Sequence, residues 1–329
     1  MRAIILGSTG AGPTWLERHD VEPPQPEENE VVVEVRAAAL NHADLDELAG
    51  TYASDQRRQD RPHIVGSDVA GVVTSVGGAV SGVQTGDRVM AMVEGAFADQ
   101  VAFDHRLALP VPDALDWPAA AALPSALMTE YDALLGQGQL AAGQDVLITA
   151  ATSGVGLIAL DIARWAGANQ VFATTTSSQK ELLLTARGAR AVNTRGEDLA
   201  GTVLAATGGR GVDLVIDHVG GAFLDACIAA TRIGGAVVQV GRAAGPVSTI
   251  DVDRLAHRRV HLIGTTFRTR GTHDRARIAE AIRTRLLPAV ADRRIRPHVH
   301  EVLPAAQAEK AREALAKPTS AGKIVLDFR

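Results

Sequence analysis

Ser153, Gly154, Val155 and Gly156 stand between two apolar runs, DVLITA (145–150) and LIALDIARWA (157–166). A turn of small residues that opens a helix lets backbone N–H groups approach a phosphate, whose charge the helix dipole stabilises. Between a strand and a helix, such a turn points to dinucleotide binding. The fit to Gly-x-Gly-x-x-Gly is partial, because Ala151 and Ser153 hold the first two glycine positions, Gly156 the third, and Gly154 is additional. A purely structural turn is the competing reading. The next strand, QVFATT (170–175), decides between them. It ends about 20 residues past the turn, where a carboxylate would hold a ribose 2′-hydroxyl. Thr175, Thr176, Ser177, Ser178, Gln179 and Lys180 occupy that stretch instead. Hydroxyls and an ammonium suit a 2′-phosphate, so the expected cofactor is NADPH, bound through Thr175, Ser177 and Lys180. An exposed helix cap and a solvated lysine are the plain alternative. Arg195, after GARAVN, offers a second cation, with Arg190 as an equal rival.

These residues need a scaffold, and the surrounding pattern predicts one. DVLITA is a continuous apolar run of strand length, as a strand buried on both faces requires. The helix after it is apolar on most faces, with Asp161 and Arg164 on one polar edge and Gly167 placed to cap it. Strands and helices then alternate through ARAVN, VDLVIDHVGG, GAVVQVGRA and RRVHLIGTTF. The alternation predicts an α/β, doubly wound parallel sheet. Val219, Gly241 and Arg242 end strands at its carboxyl edge, where ligands of such sheets lie. Residues 1–124 read differently, as short β runs punctuated by Pro and Gly clusters such as PPQPEEN and GGAVSG. That pattern predicts an antiparallel, partly barrel-like domain.

Composition narrows the function classes. The 329 residues carry a net charge of −5 and 3% aromatics, which offers neither a basic patch nor stacking platforms for nucleic acid. No uninterrupted apolar run is long enough to span a bilayer. MRAIILGSTG reads as a strand and turn rather than a signal peptide. A single cysteine, Cys227, rules out an internal disulfide framework and is read as a core residue. The expected location is the cytoplasm.

Several segments in one order resemble the medium-chain dehydrogenase/reductase superfamily, and specifically its zinc-free quinone oxidoreductase (zeta-crystallin-like) branch. They are AAALNHAD, IVGSDVAGVV, TGDRV, AAALPSALMTEYDAL, DVLITAATSGVG, GARAVN, VDLVIDHVGG, GAVVQVG and GKIVL. The resemblance covers nearly the whole chain. It implies a GroES-like catalytic domain over 1–124, completed by 265–329, and a Rossmann NADPH-binding domain over 125–264, with a cleft between them. It implies homodimers through the last Rossmann strands, here around Val260–Gly264. Asn41 and Thr129 match residues beside the nicotinamide, Tyr52 a pocket residue, and Phe267 and Arg268 a segment alongside the nicotinamide. Loop-backbone bonding by Asn41, back-bonding by Thr129 and an inert aromatic wall at Tyr52 are the plainer readings.

Zinc-dependent relatives carry a Cys near the position of His42 and a His near Ser67. Here the residues are Asn41-His42-Ala43-Asp44 and Gly66-Ser67-Asp68, so no metal is expected. Asp217 and His218 suggest an acid–base pair, but the family's acid at this strand has no catalytic use, so both are read as structural or adenosine-side. Arg57, Arg58 and Arg61 form a charged loop that would favour an anionic substrate or simply be solvated. The activity implied is NADPH-dependent reduction of a quinone or another hydrophobic conjugated carbonyl. An enoyl-thioester reductase and a non-catalytic NADPH-binding protein of the crystallin type are the rivals.

Overall fold

Runs of β-branched and small apolar residues bury both faces of the strands at the centre of this chain, and the helices between them return each strand in parallel. The structure is a computed structural model that describes residues 1–10, 12–50, 62–317 and 320–329. Tyr52, Arg57, Arg58 and Arg61 therefore lie outside the described residues. The chain divides into two units. Unit 1 is Met1–Met128, Arg268–Ala291 and Pro297–Arg329; unit 2 is Thr129–Phe267 and Asp292–Arg296.

In unit 1 the strands are β1 (Ala3–Thr9), β2 (Gly12–Arg18), β3 (Glu30–Ala39), β4 (Asp68–Val76), β5 (Arg88–Met92), β6 (Gln100–Asp104) and β7 (Leu109–Pro110). In unit 2 they are β8 (Val146–Ile148), β9 (Val171–Thr175), β10 (Arg190–Asn193), β11 (Val212–Asp217), β12 (Thr231–Gln239) and β13 (His261–Gly264). The chain then returns to unit 1 through β14 (Val299–Pro304) and β15 (Lys323–Asp327).

Unit 1 is built on β3, whose EVVVEVRAAA buries most of its side chains. It pairs antiparallel with β4 along its length, with β6 over its first half and with β15 over its last residues. The order β14-β15-β3-β4-β5-β7, with β6 on β3, makes a seven-stranded sheet, and β1 and β2 form a separate hairpin. Trp15 packs edge-on against Phe97 beneath that hairpin, with ring centroids 5.6 Å apart. Burying two such rings contributes on the order of several kcal/mol. The β15–β3 pairing brings Lys323 next to Asn41, which follows β3 closely in the chain.

Unit 2 holds a six-stranded sheet in the order β10-β9-β8-β11-β12-β13, parallel throughout. The order reverses between β8 and β11, so the loops after these two strands diverge to opposite faces and leave a crevice at the carboxyl edge. Helix Gly154–Trp165 follows β8 and is buried along most of its length. Gly156 must be glycine for packing: an added Cβ would stand 2.7 Å from both Ala150 O and Ala151 Cα. Asp161 is not on a polar edge. It is buried, and its carboxylate accepts from Arg187 Nη1 at 2.5 Å and from Arg296 N at 2.8 Å. The Arg296 backbone, whose N–H donates to Asp161 and whose O accepts from Arg187 at 3.3 Å, fastens residues 292–296 to unit 2, although the sequence alone assigns all of 265–329 to the other domain.

Candidate functional site

The turn after β8 is shaped by hydrogen bonds from both neighbouring strands. Ala150 takes a left-handed conformation (φ 46°), its N–H donates to Thr174 Oγ1 at 3.0 Å, and Ala151 N donates to Thr174 O at 3.1 Å. Ser153 is the N-cap, and its Oγ accepts from Gly156 N at 3.0 Å. Among the described residues nothing takes the N–H groups of Gly154 and Val155, the first two of the helix. Donors at the positive end of a twelve-residue helix are of the kind that can accept an anion.

At the end of β9, Thr175 is buried, and its Oγ1 accepts from Ser177 N at 3.2 Å. Thr175 thus shapes the turn and positions Ser177, which is the N-cap of helix Ser178–Ala186 with its hydroxyl uncommitted to a cap bond. Lys180 lies in the first turn of that helix, partly buried, and burial lowers its pKa. Strand direction separates the two arginine candidates. Arg195 follows the carboxyl end of β10 and is exposed, whereas Arg190 starts the strand about 10 Å away and lies over the Phe172 ring. Only Arg195 shares an edge with Ser177.

The turn after β11 is a hub. Asp217 Oδ1 accepts from Thr149 Oγ1 at 2.9 Å and from Val219 N at 2.9 Å, and Gly220 N adds a bond at 3.2 Å. His218 is buried, with Nε2 2.7 Å from Glu130 Oε1 and Nδ1 donating to Thr149 O at 2.8 Å. Burial opposes the charged imidazole, but the Glu130 carboxylate and the bond to Thr149 outweigh it and hold the His218 pKa above its ordinary value. Gly241 packs directly on this turn, since a Cβ there would meet His218 O at 2.2 Å. Arg242 is exposed beside it, and Phe267 is half-buried beyond β13. Thr129, also half-buried, precedes Glu130 at the end of helix Pro124–Glu130, which continues as a π-helix over Tyr131–Gln137. The sequence reading missed Glu130 and the π-helix. Arg268 opens the return stretch of unit 1.

Unit 1 contains a second polar cluster around Asn41. Its Nδ2 donates to Ser67 Oγ at 3.1 Å and to Asp68 Oδ2 at 2.9 Å, while Oδ1 accepts from Lys323 Nζ at 2.5 Å. Lys323 also pairs with Asp68 at 2.8 Å, and Ser125 N donates to Asp68 Oδ1 at 2.7 Å. Asp44 closes the cluster: it takes Asn41 N at 2.7 Å and Ser67 Oγ at 3.3 Å. Burial pushes the Asp44 carboxyl up to about 7, with the Asn41 N–H working against it. The Asn41 amide is therefore engaged at every polar atom, and holding a ligand oxygen would require exchanging one of these bonds. Lys323 was absent from the sequence reading; GKIVL was visible as a motif, but its partner lies 282 residues away.

Two family models match the chain: a zinc-binding dehydrogenase family over residues 154–284 and an alcohol dehydrogenase GroES-like domain over 27–113. The quinone oxidoreductase of Lama guanicoe is 34% identical over 252 residues, covering 75% of this chain and 74% of that protein. The spectinabilin polyketide synthase system protein NorB of Streptomyces orinoci is 34% identical over 302 residues, or 90% of this chain but 13% of that protein. The chain thus spans roughly an eighth of that synthase. A mycobacterial protein solved in complex with NADPH superposes with a TM-score of 0.88 and 28% identity over 99% of this chain and all of that one.

The first family's description raises zinc, and the residues do not fit it. Zinc takes thiolate, imidazole or carboxylate ligands in tetrahedral array. Here an amide and a hydroxyl, Asn41 and Ser67, stand near an Asp68 already paired with the Lys323 ammonium. Among the described residues no group of three or more His, Cys, Asp or Glu is placed to hold a metal. Cys227 is fully buried, and burial raises its thiol pKa well above the ordinary value.

Proposed function

We propose that this chain, which belongs to the medium-chain dehydrogenase/reductase superfamily in its quinone oxidoreductase-like branch, is a zinc-independent, NADPH-dependent reductase. Its substrate class is a quinone or another α,β-unsaturated carbonyl. The observation that carries the cofactor choice is the end of β9, where Thr175 orders a turn that presents Ser177 and Lys180 and no carboxylate. A bound NADPH would supply the hydride, and the protein's part is binding, orientation and exclusion of water. The free N–H groups of Gly154 and Val155, with the Ser153 cap and the close-packed Gly156, would hold the pyrophosphate. Ser177, Lys180 and Arg195 would hold the 2′-phosphate, and Val219, Gly241, Arg242, Phe267 and Arg268 would line the remainder. Thr129, Asn41 and Tyr52 are the residues proposed to stand around the reacting atoms. A homodimer through the open edge of β13, where Leu262 is exposed, and a cytoplasmic location complete the proposal.

The likeness to the polyketide synthase protein supports a second reading, an enoyl-thioester reductase. Oxidation of NADPH followed at 340 nm with quinones, enones and enoyl thioesters separates the two, and no turnover on any would indicate a non-catalytic dinucleotide-binding protein. For the cofactor, Lys180→Ala should weaken NADPH about tenfold or more, the worth of one charge-assisted contact, and leave NADH nearly untouched. Equal loss for both would refute the 2′-phosphate assignment.

A further inference from the structure

We infer that Glu130 and His218 are a positioning pair for the dinucleotide, tying the helix end that carries Thr129 to the turns after β8 and β11. The inference rests on the dinucleotide reading of unit 2 given above. Glu130 is fully buried and His218 nearly so. Two ionisable groups taken out of water are retained against a large desolvation cost only where their mutual bond is well made. Here it is 2.7 Å long, between His218 Nε2 and Glu130 Oε1.

The pair sits at a junction. Thr149 O can only accept, so His218 Nδ1 carries a proton and donates to it at 2.8 Å. The backbone N of His218 donates to Thr149 Oγ1 at 2.8 Å, and that hydroxyl donates onward to Asp217, which gathers Val219 N and Gly220 N. One imidazole thus links Glu130, the residue after Thr129, to the chain just before the phosphate turn and to the turn holding Val219. Gly241 packs against His218 O, which adds the turn after β12 to the same junction. On the other flank of Tyr131, Asp132 Oδ2 accepts from Thr265 Oγ1 at 2.6 Å. The π-helix that starts at Tyr131 is therefore pinned by an acid on each side, to β11 at one point and past β13 at the other. The Glu130–His218 bond fastens the helix end next to Thr129.

Among the described residues the second Glu130 oxygen, Oε2, is buried without a hydrogen-bond partner, and His218 is the group that holds this side chain. Among the described residues the titratable groups acting on His218 are Glu130 from the helix and Asp217 from β11, both carboxylates. Both favour the imidazolium, and the pair is tightest while His218 is protonated.

The test uses the full chain and two variants, Glu130→Gln and His218→Gln. The affinities for NADPH and NADH are followed by nicotinamide fluorescence from about pH 5.5 to 9.5. The His218 imidazole is titrated by NMR, its signal assigned by its loss in His218→Gln. In the unaltered protein His218 should titrate above 6.5, its ordinary value, and both dinucleotides should weaken as pH rises through that titration. In Glu130→Gln the His218 titration and the fall in affinity should move down together. At pH 8 both cofactors should be weaker by about tenfold, the effect of one lost charge-assisted bond. A merely structural pair would change the unfolding temperature and leave the pH profile of affinity where it was, and that result overturns the inference. Lys180→Ala separates the two readings, because it should act on NADPH alone whereas Glu130→Gln acts on both cofactors. A protein that binds neither dinucleotide overturns both.

Discussion

Replacing Asp44 by Asn should remove the pH dependence of stability that this buried acid imposes on unit 1. Asp44 is 4% exposed, and its carboxyl titrates at about 7 instead of 3.8, chiefly because burial penalises the anion. The folded chain therefore keeps a proton that the unfolded chain has released between these two values. The group's stabilising contribution is whole below pH 3.8, declines above it, and is lost as pH rises through about 7. The distance between the two pKa values corresponds to about 4 kcal/mol in full. Between about pH 5 and pH 8.5 the loss is about 3 kcal/mol, and local relaxation makes that an upper bound. Asparagine stays neutral throughout. Its oxygen can accept the Asn41 N–H, now 2.7 Å from Asp44 Oδ2, and its amide can face Ser67 Oγ, now 3.3 Å from Oδ1. The exchanged bonds cost about 0.5–1.5 kcal/mol, which roughly matches what Asp44 has already lost between pH 3.8 and about pH 5, so the two proteins should be nearly equally stable at pH 5. The variant should be more stable at pH 8.5 by up to about 3 kcal/mol, a Tm higher by up to roughly 6–12 °C at about 2–4 °C per kcal/mol. Calorimetric unfolding of both proteins at the two pH values is the assay. Parallel changes in Tm, with no gap opening between pH 5 and pH 8.5, would refute the assignment of a proton to Asp44.

Two further substitutions test the same reasoning. Lys323→Met leaves the Asp68 carboxylate buried without its cation and should cost about 3–5 kcal/mol in denaturant unfolding, more than a surface ion pair would. Gly156→Ala forces a methyl against backbone at 2.7 Å, which cannot yield as a flexible side chain would. It should cost about 1–3 kcal/mol of stability and weaken NADPH and NADH alike.

The elements that hold the turn after β8 were legible because their signals are local. An apolar strand, four small residues and an apolar helix lie within about twenty positions, and the absence of an acid at Thr175 could be read directly. What escaped was set by distance along the chain. Periodicity placed Asp161 at a helix's polar edge, but Arg187 and Arg296 reach it from 26 and 135 residues away and bury it. Glu130 and His218 stand 88 apart, and each alone reads as an ordinary polar residue. The hairpin strand β2 and the helix Val252–Arg258 were passed over, the first because GAGP reads as a turn, the second for its mixture of charges and short length. The π-helix over Tyr131–Gln137 has no signature in residue type at all.

If Asn41 stands at the reacting atoms as proposed, its engagement bears on which carbonyl the chain would reduce. Hydride addition to an enoyl thioester leaves an enolate that needs oxyanion stabilisation and a proton at carbon. Hydride addition to a quinone leaves an aromatic hydroquinone anion that can take its proton from water. A free amide donor at Asn41 would serve the first reaction, but both of its hydrogens are directed to Ser67 and Asp68. Turning one outward would leave an acceptor oxygen of Asp68 with one donor fewer inside a buried cluster, a cost of about 1–3 kcal/mol. Lys323 opposes the same movement by fixing Oδ1. Under the proposed function, the quinone makes the smaller demand on a residue so held.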